Sequence, residues 1–269
     1  MERVDFKNIK RIVVKVGTST LSYKNGRLNF QRMEKIAFAM SALRSKGYQV
    51  VLVSSGAIGV GAGRLGLIER PSDLSIKQAL AALGQALLMK IYQKMFEDYN
   101  QVVAQVLLTK DVMILPERHE NSRNTLFKLL EMGIIPIVNE NDTISTDEIL
   151  FGDNDTLSAM VATLVEADLL ILLSDIDGLY SADPKADSNA QIIRSVTQIT
   201  PELEKRAAGA GSSFGTGGMV TKISAAKITS AAGIDTIITN GDEPSIVFDV
   251  LEGKEVGTHF IAEKIAVKN

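Results

Sequence analysis

The chain has 269 residues, of which 45% are hydrophobic and 23% are charged. That length can form one large α/β domain or two lobes, and the composition is that of an ordinary globular protein. The formal net charge of −3 lacks the basic excess of nucleic-acid-binding proteins, and the absence of cysteine excludes disulfides, thiol catalysis and cysteine-ligated metals. The first residues form no apolar signal core, and no apolar run could span a membrane. We therefore expect a cytoplasmic protein with no nucleic-acid and no membrane partner.

Segments typical of strands and helices alternate along the chain. Short apolar or β-branched runs predict strands over residues 12–16, 50–54, 102–108, 134–138, 169–173 and 236–239. Cap and stop residues delimit helices over about residues 29–46, 74–100, 121–132, 155–165 and 219–232. We expect the long second helix to bury a stripe formed by Ala79, Leu80, Leu83, Leu87 and Ile91. The pair Asn25-Gly26 predicts a hairpin over residues 21–28.

Continuous apolar strands between helices indicate a parallel sheet that is covered on both faces. No linker, low-complexity segment or repeat divides the chain. We therefore predict an α/β fold: a three-layer α/β/α sandwich around one mainly parallel sheet, with any lobes sharing that sheet.

Small and polar residues follow four of the predicted strands. The four strand ends are residues 15–19, 54–57, 139–142 and 174–178. One polar strand end is unremarkable, since every strand must pass into a loop. In open α/β sheets, however, ligands bind beyond the carboxyl ends of the strands. Four such ends in one sheet therefore predict a polar crevice along its edge.

A glycine-rich segment from Gly209 to Lys222 leads into an apolar helix pattern. Glycines let backbone N–H groups turn toward a ligand, and a helix N-terminus adds unpaired N–H groups and the positive end of its dipole. Lys222 supplies a point charge in the first turn. These features suit a triphosphate, although the segment fits neither a P-loop nor a dinucleotide fingerprint. The alternative is a flexible surface loop before a core helix.

Two further features point to charge in the crevice. Lys15 interrupts an apolar strand, where a lysine is costly to bury unless a negative partner meets it. It is either a cation directed at a phosphate or a lysine of an edge strand that reaches solvent. The segment Gly152-Asp153-Asn154-Asp155 offers two carboxylates and an amide at a helix start. These side chains either belong to the site or simply cap the helix.

Taken together, these motifs resemble the amino acid kinase family, and within it the subfamily that phosphorylates the γ-carboxylate of L-glutamate. The resemblance covers about residues 10–260 in the family's order. Gly152-Asp153-Asn154-Asp155 and Gly215-Thr216-Gly217-Gly218-Met219, continued by Thr221-Lys222, are its most specific motifs. The other matching segments are residues 14–19, 54–58, 136–142 and 178–184. The activity implied is ATP-dependent formation of L-glutamyl 5-phosphate, the first step of proline biosynthesis.

The resemblance implies a role for each matching residue. Lys15 would contact the ATP phosphates and stabilise the transferring phosphoryl group, with Lys222 as the second cation. Asp155 would orient these two lysines or lie near magnesium. Glutamate would be bound by Ser55, Asp142 and Asn154, with Asp142 meeting its ammonium group. The nucleotide would be bound by Lys15, Ser174, Asp175, Thr216, Gly217, Gly218, Met219, Val220, Thr221 and Lys222.

The implied chemistry agrees with the composition. A glutamate side chain in water has a pKa of about 4.3, so the nucleophile is already ionised at neutral pH and needs no general base. A chain with only two histidines can therefore perform it. The resemblance implies ATP as co-substrate with Mg²⁺, and a homo-oligomer. Because the product is an unstable acyl phosphate, it also implies transient contact with glutamate-5-semialdehyde dehydrogenase.

The resemblance also implies a domain organisation. We expect a single amino acid kinase domain over residues 1–269, with an amino-acid-binding lobe up to about residue 165 and an ATP-binding lobe from about residue 166. We expect no C-terminal PUA domain of the kind that many family members carry. Leu150 departs from the family pattern, because some members have a basic residue there.

Three other functions stay open at this stage. A kinase of the same fold could act on acetylglutamate, aspartate, carbamate or a nucleoside monophosphate. A non-catalytic sensor could bind nucleotide or amino acid, but the chain retains both lysines and the whole Gly-Asp-Asn-Asp segment. A nicotinamide-dependent oxidoreductase is disfavoured, because no dinucleotide fingerprint follows the first strand.

Overall fold

One eight-stranded sheet forms the centre of the molecule. The structure is a computed structural model that describes residues 6–23, 26–67, 71–145, 154–184, 187–209 and 218–263. Across the sheet the strands follow the order β3-β4-β2-β1-β5-β7-β8-β6. Within the described ranges the strands are β1 (Arg11–Val16), β2 (Gln49–Ser54), β3 (Val103–Leu108), β4 (Ile135–Glu140), β5 (Leu169–Ser174), β6 (Ser195–Val196), β7 (Asp235–Asn240) and β8 (Thr258–Phe260).

The six strands from β3 to β7 in this order pair in parallel, and β8 runs antiparallel to β7. The chain builds β2, β3 and β4 on one side of β1, then crosses to the other side for β5 and β7. The sheet therefore changes its direction of growth between β1 and β5. Ligands of open α/β sheets bind at such a switch point, beyond the carboxyl ends of the strands.

Helices cover both faces of the sheet. Alternate residues of a strand point to opposite faces, and β1 accordingly contributes Val13 to one apolar core and Ile12, Val14 and Val16 to the other. The first core is completed by α5, α6 and α8, and the second by α2, α4 and α9. The predicted three-layer sandwich is thus confirmed. The described α-helices are α1 (Thr18–Leu21), α2 (Phe30–Ser45), α3 (Ala57–Arg64), α4 (Leu74–Glu97), α5 (Pro116–Glu131), α6 (Asn154–Leu164), α7 (Pro201–Gly209), α8 (Met219–Ala231) and α9 (Ile246–Leu251).

Most element boundaries agree with the sequence-based prediction. Asn29 caps α2 by accepting the N–H of Arg32 at 3.0 Å, and Gly47 follows the helix with a φ of 95°. Helix α5 begins five residues earlier than predicted, because Pro116 is compatible with a first helical turn. In the described part of the predicted hairpin, Ser22 and Leu28 form an antiparallel bridge, and the N–H of Tyr23 donates to the carbonyl of Arg27 at 2.8 Å. Asn25 lies outside the described residues.

The buried stripe predicted for α4 is confirmed at Leu80 but is wrong at Ala79 and Leu83. Ala79 is exposed, Leu83 is 37% exposed, and Leu87 and Ile91 are only partly buried. Of that stripe, Leu80 alone lies in the core. The helix instead buries Leu80, Ala81, Gly84, Gln85, Leu88, Met89, Tyr92 and Phe96. Apolar periodicity did not predict this buried face, because it contains a glycine and a glutamine.

Glycine sets the distance between α3 and α4. A Cβ at Gly84 would lie 1.7 Å from the carbonyl oxygen of Ala57, and one at Gly61 would lie 2.1 Å from that of Leu80. The two backbones are therefore in direct contact. Helix α3 was not predicted, since three of its eight residues are glycine. Among the residues that the structure describes, no helix is both long enough and apolar enough to cross a bilayer.

We expect Gly84→Ala to lower the free energy of unfolding by about 3 kcal/mol, the upper part of the range for overpacked cores. The added methyl group can be accommodated only if the backbones of α3 and α4 separate. Gly59→Ala is the matched control, because a Cβ at Gly59 in α3 meets nothing within 4 Å. Urea denaturation of both variants measures the difference, and equal stability would contradict the close packing.

Candidate active site

Lys15 lies in β1, between β2 and β5, and only 7% of its surface is exposed. It occupies the same strand face as Val13, which packs against α6 and α8. The interpretation of Lys15 as an edge-strand lysine that reaches solvent is therefore wrong. The lysine is held in the interior near the carboxyl end of the central strand.

A single carboxylate joins Lys15 to the glycine-rich region of the sequence. The ammonium group of Lys15 lies 2.6 Å from Asp155 Oδ1, and that of Lys222 lies 3.2 Å from Asp155 Oδ2. The hydroxyl of Thr221 donates to Asp155 Oδ2 at 2.7 Å. The side-chain oxygens of Asp155 thus bind lysines and a hydroxyl, and do not cap α6. We call Lys15, Asp155 and Lys222 the lysine–carboxylate cluster.

The cluster has a net charge of +1 in a buried position. Burial alone would raise the pKa of Asp155, but the positive charges of Lys15 and Lys222 outweigh it and lower that pKa to about 2. The carboxylate is therefore ionised at any physiological pH, and the two ammonium charges of the cluster outnumber it. Buried ammonium groups are stable only beside negatively charged groups or acceptors. The arrangement suits an anionic ligand at the carboxyl edge of the sheet.

On the other side of Lys15, buried amides connect two predicted site residues. Asn154 Nδ2 donates to Ser55 Oγ at 2.7 Å and to Asn139 Oδ1 at 2.9 Å. Asn139 Nδ2 in turn donates to Gln85 Oε1 at 2.9 Å. This amide chain (Ser55, Asn154, Asn139 and Gln85) links β2, α6, β4 and α4. The sequence predicted Ser55 and Asn154, and the structure places them in direct contact.

Two buried carboxyl groups lie close together in sequence at the end of β4: Glu140 is its last residue, and Asp142 lies two residues further on. Burial and, to a smaller extent, the charge of Glu140 raise the pKa of Asp142 to about 7. Asp142 Oδ1 is buried and has no hydrogen-bond partner among the described residues. A cationic ligand group would relieve both effects, because it would supply a donor and an opposite charge.

On the opposite side of β1, Ser174 ends β5 and Asp175 follows it. Ser174 Oγ donates to Asp175 Oδ1 at 3.1 Å, and the N–H of Gly241 donates to the carbonyl of Ser174 at 2.7 Å. Ser174 is buried and Asp175 is exposed. The end of β5 is thus tied to the loop after β7, away from the amide chain.

The N-terminus of α8 brings Lys222 and Thr221 to the cluster. Its N-cap residue, Gly218, has no side-chain hydrogen bond, and Val220 is exposed. Met219 begins the helix, and Thr221 Oγ1 also lies 2.8 Å from the carbonyl of Gly218. Thr216, Gly217, Gly152 and Asp153 lie outside the described residues.

Comparison with known proteins now identifies this architecture. The amino acid kinase family matches residues 10–240. The chain belongs to the amino acid kinase family. The resemblance inferred from its motifs is therefore confirmed.

Curated relatives match this kinase over nearly its whole length. It is 56% identical to a glutamate 5-kinase of Clostridium perfringens, over 97% of this chain and 99% of that protein. It is 54% identical to a glutamate 5-kinase of Listeria monocytogenes, over 97% of this chain and 96% of that protein.

Solved structures of low sequence identity share the fold. A UMP kinase from Ureaplasma parvum has a TM-score of 0.63 at 19% identity, over 94% of this chain and 99% of that one. A UMP kinase from Bacillus anthracis has a TM-score of 0.61 at 17% identity, over 95% and 97% respectively. At this identity the likeness concerns the fold alone.

Sequence reasoning missed Asn139 and Gln85 as residues of the site, and it assigned Thr221 to the nucleotide without its contact with Asp155. Asn139 is the centre of the amide chain, Gln85 ends it, and Thr221 supports Asp155 through its hydroxyl. Asn139 could have been predicted as a site residue, because it is the first of the polar residues 139–142 at the end of a predicted strand. Thr221 appeared in the matching motif only as part of a phosphate loop. Gln85 gave no signal, since it lies within an apolar helix sequence.

Proposed function

We propose that this kinase transfers the γ-phosphoryl group of ATP to the γ-carboxylate of L-glutamate and so forms L-glutamyl 5-phosphate, the first step of proline biosynthesis. The lysine–carboxylate cluster is the observation that carries the proposal. It places two buried ammonium groups around one carboxylate at the carboxyl edge of the sheet. The glutamate 5-kinases that match this chain at 54–56% identity support glutamate as the acceptor.

The cluster would act by positioning and by electrostatics. Phosphoryl transfer spreads negative charge over the equatorial oxygens of the moving group, with the attacking and leaving oxygens roughly in line. Lys15 and Lys222 would lie against this charge, and Asp155 would hold both ammonium groups in place. Because the two oxygens of Asp155 each form an ion pair with a lysine, it would act as an orienting residue and not as a base. The acceptor carboxylate is already ionised and needs none.

The acceptor would bind between β2, β4 and α6. Ser55 and Asn154 would contact glutamate, and the ionised carboxyl of Asp142 would bind its ammonium group. Support comes from Asp142 Oδ1, which has no hydrogen-bond partner within the described ranges, and from the negative charge of neighbouring Glu140. The γ-carboxylate would then face the lysine–carboxylate cluster, since Asn154 and Asp155 are adjacent in α6.

The nucleotide would bind on the β5 side. Ser174 and Asp175 would line its pocket, while the segment from Thr216 to Lys222 would surround its phosphates. The dipole at the start of α8 favours anions. On this assignment the amino-acid lobe is about residues 1–165 and the nucleotide lobe about residues 166–269.

Magnesium would enter with the nucleotide. Among the residues that the structure describes, no group of three histidine or acidic side chains could hold a metal ion, and Asp155 is already paired with two lysines. Mg²⁺ is commonly bound by substrate phosphates and one or two carboxylates, without a cage made entirely by protein. The described residues fit that mode, in which the ion neutralises phosphate charge as part of MgATP.

We also infer a homo-oligomer. The edge strand β3 begins next to Val102, which is 63% exposed, and Met132 at the end of α5 is 65% exposed. Apolar side chains beside an open sheet edge favour association.

We further infer transient contact with glutamate-5-semialdehyde dehydrogenase, because L-glutamyl 5-phosphate is a reactive acyl phosphate.

Trapping the acyl phosphate tests the proposed function. Purified protein is incubated with MgATP, hydroxylamine and either L-glutamate, N-acetylglutamate, aspartate or UMP, and hydroxamate and ADP are measured. We expect γ-glutamyl hydroxamate and matching ADP with glutamate alone, because hydroxylamine captures an activated carboxyl group. ADP formation with UMP or N-acetylglutamate, and none with glutamate, would overturn the assignment of substrate. ATP binding without turnover on any acceptor would favour a sensor.

A further inference from the structure

We propose that Gln85 is a positioning residue that sets the affinity of this kinase for its acceptor amino acid. It would act through Asn139, which holds the amide of Asn154 in the orientation that meets the acceptor. The inference rests on the proposed function, because it assigns the amide chain to the glutamate side of the site.

Gln85 is a polar residue in an unusual place. It lies in the middle of α4, on the face that packs against the sheet, and only 8% of its surface is exposed. Burying an amide is unfavourable unless hydrogen bonds replace those to water. Gln85 Oε1 accepts from Asn139 Nδ2 at 2.9 Å, whereas Gln85 Nε2 has no hydrogen-bond partner among the described residues. The side-chain oxygen of Gln85 is therefore the atom that links α4 to Asn139.

That oxygen fixes the orientation of Asn139. Asn139 Oδ1 accepts from two donors, the N–H of Glu140 at 2.9 Å and Asn154 Nδ2 at 2.9 Å. The opposite orientation would direct the NH₂ group of Asn139 at both donors. An acceptor at Gln85 favours the observed orientation, because it requires the NH₂ group to face α4. Asn154 is thereby held with its NH₂ group between Asn139 and Ser55.

The helix that carries Gln85 is itself in a fixed position. Gly84 packs against the carbonyl of Ala57 in α3, and α3 begins directly after Ser55 and Gly56. One pair of helices therefore fixes these two partners of Asn154: Ser55 through the start of α3, and Asn139 through Gln85. Contacts of this kind hold a binding residue in its productive geometry without touching the ligand.

We expect Gln85→Met to raise the KM for glutamate about tenfold, while kcat and the KM for ATP change less than about twofold. Methionine keeps the length and bulk of the side chain but offers no comparable acceptor, so Asn139 Nδ2 stays unpaired. Gln93→Met is the matched control, because Gln93 lies in the same helix and is exposed. All its kinetic constants should equal those of the wild type.

A double-mutant cycle separates positioning from a general structural role. If Gln85 acts through Asn139, Gln85→Met should have no further effect on the KM for glutamate in a chain that already carries Asn139→Ala. Gln85→Glu keeps an accepting oxygen and should stay within about threefold of the wild-type KM. Multiplicative effects in the cycle, or equal losses for glutamate and ATP, would overturn the proposal.

Two further comparisons keep the test decisive. Thermal unfolding checks that Gln85→Met folds. If it does not, Gln85→Glu and Asn139→Ala test the same contact from its two sides, and a wild-type KM in Asn139→Ala would overturn the proposal. The wild type is measured first: no hydroxamate from glutamate in the wild type refutes the proposed function, whereas an unaffected Gln85→Met in an active kinase refutes only this inference.

Discussion

Replacing Lys222 by methionine is expected to lower kcat about a thousandfold, with the fold intact. The variant loses the positive charge that lies 3.2 Å from Asp155, and the net charge of the lysine–carboxylate cluster falls from +1 to zero. Charge that develops on the transferring phosphoryl group then has one cation fewer to meet. Asp155 still pairs with Lys15 at 2.6 Å and with Thr221, so its carboxylate keeps a cation and a donor.

Lys227→Met provides the matched control for this prediction. Lys227 lies in the same helix, but it is exposed and pairs with Glu204 on the surface at 2.6 Å. Its kcat should stay within about twofold of the wild type, since surface ion pairs contribute little. Steady-state kinetics and thermal unfolding are measured for both variants and for Lys15→Met. A kcat near the wild-type value in the Lys222 or Lys15 variant would remove that lysine from the mechanism.

The chemistry of this site could be predicted in part because parallel strands end at one edge of a sheet. Lys15, Ser55, Asp142 and Ser174 lie at or near the carboxyl ends of separate strands, and the α/β alternation predicted that these ends share one edge of the sheet. The pairing of Lys15 and Lys222 with one carboxylate, by contrast, joins residues far apart in the sequence. Such contacts depend on the positions of α6 and α8, which apolar periodicity does not specify.

The second layer of the site could not be predicted from periodicity. Apolar patterns suggested Leu83 and Leu87 as buried residues of α4, whereas the structure buries Gly84 and Gln85. Gly84 leaves room for the carbonyl oxygen of Ala57, which would lie 1.7 Å from any Cβ at that position. Gln85 accepts one hydrogen bond from Asn139. Both are properties of the assembled helix pair, and neither leaves a repeating pattern in the sequence.

The KM for glutamate should depend on pH through Asp142, and Asp142→Asn should abolish that dependence. Burial, and then the charge of Glu140, raise the pKa of Asp142 to about 7. Below that pH the free enzyme carries a neutral carboxyl group, which must lose its proton before it can bind an ammonium group as an ion pair. The KM should therefore rise about tenfold per pH unit as the pH falls below 7, and should level off above 7.

Kcat should change little over the same range, because the ammonium group of bound glutamate lowers the pKa of Asp142 in the complex. At pH 8, Asp142→Asn should raise the KM for glutamate about a hundredfold, as expected when one partner of a buried charge pair is removed. The KM for ATP should not change. Asp98→Asn replaces an exposed carboxylate beyond the end of α4 and should behave as the wild type. A KM for glutamate that falls with rising pH in the wild type, but not in Asp142→Asn, would assign the titration to Asp142. If the KM of the wild type is instead constant between pH 5.5 and 8, Asp142 does not bind the ammonium group as a carboxylate.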